Sequence, residues 1–135
     1  EYTSVICDLN SYFRANMDLL NPGVRAALFP SRRPIYTKVR DCAPAVYGLH
    51  AHVEDSLVAD GSKIEGSITR SIIFRDVQIE RDAVLEDCIV MQGSVICRAT
   101  RLSAVILDKN VVIKDGRTLT GFDSYPVFVS KGSVV

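Results

Sequence analysis

From Leu57 onward, aliphatic positions recur at a fixed interval. Ile73, Ile79 and Leu85 are followed 17 residues later by Val90, Ile96 and Leu102, and after 17 more by Leu107, Ile113 and Leu119. Chance agreement at nine such positions is on the order of one in 100,000, so the pattern reads as an internal repeat. Within each period the steps are 6, 6 and 5 residues, a hexad with one residue trimmed from the third side. Seventeen residues at about 3.3 Å each give a perimeter of about 56 Å, a triangle with sides of about 19 Å. The spacing predicts a mainly β fold: a single-stranded, left-handed parallel β-helix of about four coils. That handedness is an exception to the right-handed crossover rule.

Each aliphatic residue that opens a hexad is expected to point into the prism. Small residues are expected four positions later, where the chain again points inward near a corner. Val77, Ser94 and Val111 fill one such column and Ala83 and Thr100 another, while Arg117 breaks it in a looser final coil. An earlier, shorter coil is visible as Ser56-Leu57-Val58, which Ser71-Ile72-Ile73 echoes 15 residues on, with Ile64 and Ile68 between. Tyr125–Val129 is predicted as one more strand, along the prism or across its end, because a last coil exposes both interior and unpaired backbone.

Residues 1–47 follow a different pattern, and the boundary is drawn there: a helix plus linker, then a β-helix over 48–135. Tyr12, Phe13, Asn16, Met17 and Leu20 share one helical face. Asp8 or Asn10 is predicted to cap a helix over Ser11–Leu20, ended by Asn21-Pro22-Gly23. A short second helix is predicted over Val24–Phe29, closed by Pro30. Ser31–Val39 reads as an extended connector between prolines. This segment holds too little periodic apolar surface to build a core, so it must pack on something else.

Composition narrows the function. The chain has 135 residues, 47% hydrophobic and 24% charged, which suits one ordinary globular domain. Sixteen basic and sixteen acidic residues leave no net charge, which argues against sequence-independent binding of nucleic acid. No apolar run approaches the roughly 20 residues of a membrane span, and no signal peptide is evident, so a cytoplasmic location is expected. Cys7, Cys42, Cys88 and Cys97 are irregularly spaced without a CxxC pair, which predicts reduced thiols rather than disulfides or structural zinc.

Few sequence features suggest catalytic chemistry. No phosphate-binding glycine loop and no nucleophile elbow is present. His50 and His52 flank Ala51. On a strand they would share a face, and with Asp55 they could hold a metal, or one could act as a base. Solvated histidines at the mouth of the first coil are the simpler reading. Asp76, Glu80, Arg81, Asp82, Glu86 and Asp87 fall between inward positions and read as a solvated exterior, and Arg32 and Arg33 as an exposed linker.

Several connecting motifs carry a resemblance. Pro34-Ile35-Tyr36-Thr37, Asp55-Ser56-Leu57-Val58-Ala59-Asp60-Gly61, Ser71-Ile72-Ile73-Phe74 and Val105–Gly116 together resemble the carboxy-terminal part of bacterial ADP-glucose pyrophosphorylases, as does Ser11–Leu20. Arg33–Asp41, Pro44–Gly48, Met91-Gln92-Gly93 and the tail Tyr125–Gly132 most resemble the non-catalytic companion subunit of two-subunit systems.

The resemblance implies a family that makes ADP-glucose and pyrophosphate from ATP and glucose 1-phosphate, with magnesium, for glycogen synthesis. Its chemistry belongs to an amino-terminal nucleotidyltransferase domain. This chain is therefore expected to be a non-catalytic regulatory and oligomerisation domain, with no catalytic residue, metal or cofactor of its own; ATP and magnesium would sit in the other domain. Implied partners are that domain and a catalytic subunit in a hetero-oligomer, with Tyr12, Phe13, Met17 and Leu20 as interface residues. Lys109 and Lys131 match basic positions that face a sugar-phosphate effector, where lysine serves as a point charge. No nucleic acid or membrane partner is expected. Alone, the chain is expected to self-associate through uncovered apolar surface. The competing reading is a hexapeptide-repeat acyltransferase that uses His50 or His52 as its base.

Overall fold

The computed structural model describes residues 2–135. Asp8 opens the first helix, α1 (Leu9–Asp18): its carboxylate accepts from the Ser11 amide at 2.7 Å, and Ser11 Oγ accepts from the Asp8 amide at 3.0 Å. This reciprocal capping box satisfies two orphan donors. Asp8 rather than Asn10 is thus the cap, and the helix both starts and ends two residues earlier than the hydrophobic face suggested. Asn21 caps α2 (Pro22–Leu28), with Pro22 in the first turn, where its missing amide has no helical partner to lose. The Arg25 guanidinium donates to the carbonyls of Leu19 and Leu20 at 2.7 and 2.8 Å and ties α2 to the end of α1. Residues 31–41 are exposed, and residues 34–45 carry neither helix nor strand.

Fifteen short strands then wind into a prism with a five-stranded parallel sheet on each of three faces. In chain order they are β1 (Val46–Tyr47), β2 (His52–Glu54), β3 (Leu57–Val58), β4 (Lys63–Ile64), β5 (Ser67–Thr69), β6 (Ile72–Ile73), β7 (Gln78–Ile79) and β8 (Val84–Glu86). There follow β9 (Ile89–Val90), β10 (Val95–Ile96), β11 (Arg101–Ser103), β12 (Val105–Leu107), β13 (Val112–Ile113), β14 (Thr118–Thr120) and β15 (Val127–Val129). Every third strand stacks on one face. The repeat supplies about four turns, and both ends are extended. Val46 pairs with Lys63, so the first strand begins two residues ahead of the boundary drawn at residue 48. The tail strand β15 pairs in parallel with β12 and continues the third face.

The inward columns are as the period predicts. Ile79, Ile96 and Ile113 align on one face and are no more than 1% exposed. Val77, Ser94, Val111, Ala83 and Thr100 are fully buried, and Arg117 is exposed. The buried hydroxyls are satisfied, as buried polar atoms must be. Ser94 Oγ donates to the Asp108 carbonyl at 3.0 Å and accepts from the Val111 amide at 3.3 Å.

The corners explain half of the glycines and a recurrent set of Asp and Asn residues. Asp82, Ala99 and Gly116 turn the first corner, Asp55, Arg70, Asp87 and Ala104 the second, and Gly61, Asp76, Gly93, Asn110 and Gly132 the third, all with positive φ. Glycine adopts that region freely, and Asp and Asn tolerate it through local hydrogen bonding. One corner is cut short. Ile64 and Ile68 stand four residues apart where Ile79 and Leu85 stand six apart. Gly66 spans the gap so closely that a Cβ there would run into the Ala83 carbonyl oxygen and lie 2.9 Å from that of Glu80.

The third face is apolar on both sides. Val58, Ile73, Val90, Leu107 and Val129 point into the prism, whereas Leu57, Ile72, Ile89, Ile106 and Phe128 form a second column that points out. Helix α1 lies on this outer column. Phe13, only 3% exposed, packs with Ile89, Ala104 and Ile106, and Tyr12, Met17 and Met91 close the edge of the cluster. A strand covered on both faces reads as a continuous apolar run rather than an alternation.

Candidate functional site

The face covered by α1 is flanked by the second and third corners. Lys109 and Lys131 lie on the third corner. The register that pairs Leu107 with Val129 continues past the strands, because the Gly132 amide donates to the Lys109 carbonyl at 3.0 Å. The two lysines are therefore neighbours on successive rungs, about 4.8 Å apart along the stacking direction. Both are exposed, and Gln92 and then Arg75 precede them in the same ladder, where the Asn110 amide meets the Gln92 carbonyl and the Gly93 amide that of Arg75. The sequence placed these lysines 22 residues apart; the fold makes them adjacent.

Across the face, the second corner is charged and tightly paired. The Arg70 guanidinium donates to both carboxylate oxygens of Asp87, at 2.8 and 2.9 Å, and to Glu86 at 2.7 Å. The hydrogen bonds to Asp87 and then Glu86 raise the arginine's pKa above its ordinary value. This bidentate contact also fixes a side chain whose backbone sits at a positive φ of 43°. A groove of about 700 Å³ runs between this corner and α1.

The helix residues do not share one fate. Phe13 is buried against the prism itself, so in this chain it anchors the helix rather than presenting an open surface. Tyr12, Met17 and Leu20 are half-buried, and Met17 and Leu20 line the groove.

His50, His52 and Asp55 are not assembled. His50 lies in the turn at the first corner, His52 points outward from β2 with its Nε2 3.6 Å from Glu54, and Asp55 turns the second corner. Alternation along a strand had grouped the two histidines, but β2 begins only at His52. Arg32 and Arg33 are exposed on the connector. A different convergence has no counterpart in the hydrophobic pattern. Glu80, Cys97 and Asp115, from three successive rungs of the first corner, bring their donor atoms within 4.8 Å of one another. Burial, then the charges of Glu80 and Asp115, push the Cys97 thiol up from its ordinary pKa, while Arg98 stands 3.6 Å from Glu80. The 17-residue period, applied to polar rather than aliphatic positions, brings Glu80 and Cys97 together. All four cysteines are free thiols, and burial pushes Cys88 up to about 12. No helix among the described residues is long and apolar enough to cross a membrane.

A three-faced parallel β-helix on a hexad repeat, with a helix laid along one face, defines a hexapeptide-repeat protein. Residues 44–125 match the family described as GlmU-like, C-terminal hexapeptide, and the chain belongs to it. Among curated proteins, it is 37% identical over 133 residues to the glycogen biosynthesis protein GlgD of Bacillus subtilis, a match covering 98% of this chain and 39% of the relative. The GlgD of Geobacillus stearothermophilus is 42% identical over 71 residues, 53% of this chain and 21% of that protein. A glucose-1-phosphate adenylyltransferase of Shewanella sp. (strain ANA-3) is 29% identical over 121 residues, 85% of this chain and 29% of the enzyme. The chain thus spans well under half the length of these relatives.

Proposed function

We propose that this chain is the carboxy-terminal region of an ADP-glucose pyrophosphorylase subunit of the non-catalytic kind, which acts in glycogen synthesis by assembling with a catalytic subunit and tuning it. One observation carries the reading: likeness to a glycogen biosynthesis protein extends over 98% of the chain. A hexad repeat alone would produce likeness over the coils, but it places no constraint on the helices and connector of residues 2–45. The half-buried Tyr12, Met17 and Leu20 suit contact with a nucleotidyltransferase domain. The adjacent Lys109 and Lys131 suit a phosphate-bearing effector, since two cations on neighbouring rungs present a doubled positive charge to one anion.

Catalysis is assigned elsewhere. Magnesium takes oxygen ligands, and the one three-residue donor cluster among the described residues, Glu80, Cys97 and Asp115, includes a thiol whose pKa burial raises. That cluster does not suit magnesium-ATP. The test is to mix the subunit that carries this chain with its glucose-1-phosphate adenylyltransferase partner, measuring mass by light scattering and rate by pyrophosphate release. A mixed oligomer with altered rate or effector response is expected, and Lys109→Ala with Lys131→Ala should blunt the response without dispersing the oligomer. Absence of any mixed species, with the partner's rate unchanged, refutes the reading.

A further inference from the structure

The groove between α1 and the second corner has an apolar floor and an acidic rim. Phe13, Met17 and Leu20 form the floor; Asp55 and Asp123 stand at opposite ends of the rim. The other ionic groups lining it are largely engaged: Asp87 is held by Arg70, Asp18 accepts from the Tyr2 hydroxyl at 2.7 Å, and Arg14 alone adds uncommitted positive charge. Among the described residues, Asp55 and Asp123 make no ion pair.

The same chain carries a segment of opposite character. Residues 32–40 are exposed along their whole length and include Arg32, Arg33, Lys38 and Arg40, with Ile35, Tyr36 and Val39 at 62%, 89% and 85% exposure. None of these residues lines the chain's own groove. The dimensions agree. Asp55 lies on the first rung and Asp123 beside the fifth, about 19 Å apart at about 4.8 Å per rung. In an extended chain, the step from Arg33 to Lys38 spans about 17 Å, and from Arg33 to Arg40 about 23 Å. The two cationic clusters therefore match the two free carboxylates, with Ile35 and Tyr36 between them over Met17 and Leu20.

We propose that this groove receives the basic connector, residues 32–40, of a second copy of the chain. Each copy has one groove and one connector, so reciprocal exchange closes a two-fold dimer rather than an open filament. Exposed Phe122 and Tyr125, which flank Asp123 on its turn, supply aromatic faces for the incoming guanidinium groups. The contact uses Met17 and Leu20, which the subunit reading gives to a nucleotidyltransferase domain; the two occupants compete for one groove, and a measurement on this chain alone tests the connector apart from that domain.

Sedimentation of the 135-residue chain from about 1 to about 200 µM tests it. The wild type is expected to dimerise, and to do so more weakly in about 0.5 M salt. Arg33→Glu with Lys38→Glu should raise the dissociation constant at least about tenfold, and so should Asp123→Lys with Asp55→Asn. Mixing these two variants should restore a heterodimer, because each then meets its complement at both contacts. The connector makes no side-chain hydrogen bond or ion pair among the described residues, so its variants, and Tyr36→Ala, leave the fold intact. A chain monomeric throughout this range overturns the proposal and leaves the groove to a different protein. A dimer indifferent to connector charge, or variants that fail to recombine, overturns it equally.

Discussion

Replacing Gly66 with alanine tests the geometry of the shortened corner. The residue has no positive φ to lose, so the cost is steric. A Cβ would collide with the Ala83 carbonyl oxygen and stand 2.9 Å from that of Glu80, both backbone atoms of the next coil. Neither can rotate away. Relief requires the second and third coils to part locally, at the point where the Ser67 amide donates to Ala83 at 2.8 Å. Overpacking of this kind costs about 1–3 kcal/mol, and loss of that hydrogen bond adds about 1 kcal/mol. The expected destabilisation is therefore about 2–4 kcal/mol. Gly116→Ala is the control, because its φ is 68° but nothing lies within 4 Å of a Cβ there. It should cost only the conformational strain, about 1–2 kcal/mol; Ala99 and Ala104 already occupy equivalent corners. Denaturant midpoints give the ranking, and amide exchange at Ser67 gives the location. Equal midpoints, or an unprotected Ser67 in the control alone, would refute the reasoning.

Ile96→Ala should cost about 2–5 kcal/mol by chemical denaturation, because a fully buried column closes poorly around a cavity, whereas Gln78→Ala on the same face's exterior should stay within about 0.5 kcal/mol. Phe13→Ala should cost about 3–5 kcal/mol and release α1, seen as faster amide exchange in residues 9–18 while the coils stay protected. The Ser11 hydroxyl, then its amide, hold the Asp8 carboxyl below its usual pKa. The cap is therefore complete above the unfolded value of about 3.9 and is lost as pH falls through the lower folded value, which an NMR titration of the Ser11 amide would follow. Cys7, which is exposed, should react with a thiol reagent in the folded protein, whereas Cys88 should react only on unfolding.

The inward half of the prism was legible because burial there is set by period alone. Ile79, Ile96 and Ile113 had to share an interior column once the 17-residue step was seen. The outward column on the third face was equally visible, as the doublets Ile72-Ile73 and Ile89-Val90 and the triplet Val105-Ile106-Leu107. Counting only one residue of each doublet hid it, and with it the seat of α1. The adjacency of Lys109 and Lys131 was not legible. Five residues more than the period allows enter between β14 and β15, so their spacing breaks the repeat, and only the pairing of Leu107 with Val129 restores it. The convergence of Glu80, Cys97 and Asp115 escaped because charged residues between inward positions read as solvent-facing, and a ladder of such residues has no signature in hydrophobicity.

The cut corner at Gly66 and the enlarged one around Phe122–Tyr125 have a consequence for how such a chain tolerates editing. Two residues are missing at one corner and five are added at another, yet no strand shifts register. Corners absorb changes in length; faces do not, because a single added residue would turn a strand's interior side chains to the outside. A peptide tag or reporter spliced at Ser124 should therefore ride on the prism without altering its coils, while one spliced between Val95 and Ile96 should unravel them. The molecule behaves as a ruler with fixed graduations and adjustable hinges, and new binding surfaces can be written into the hinges without recalibrating the ruler.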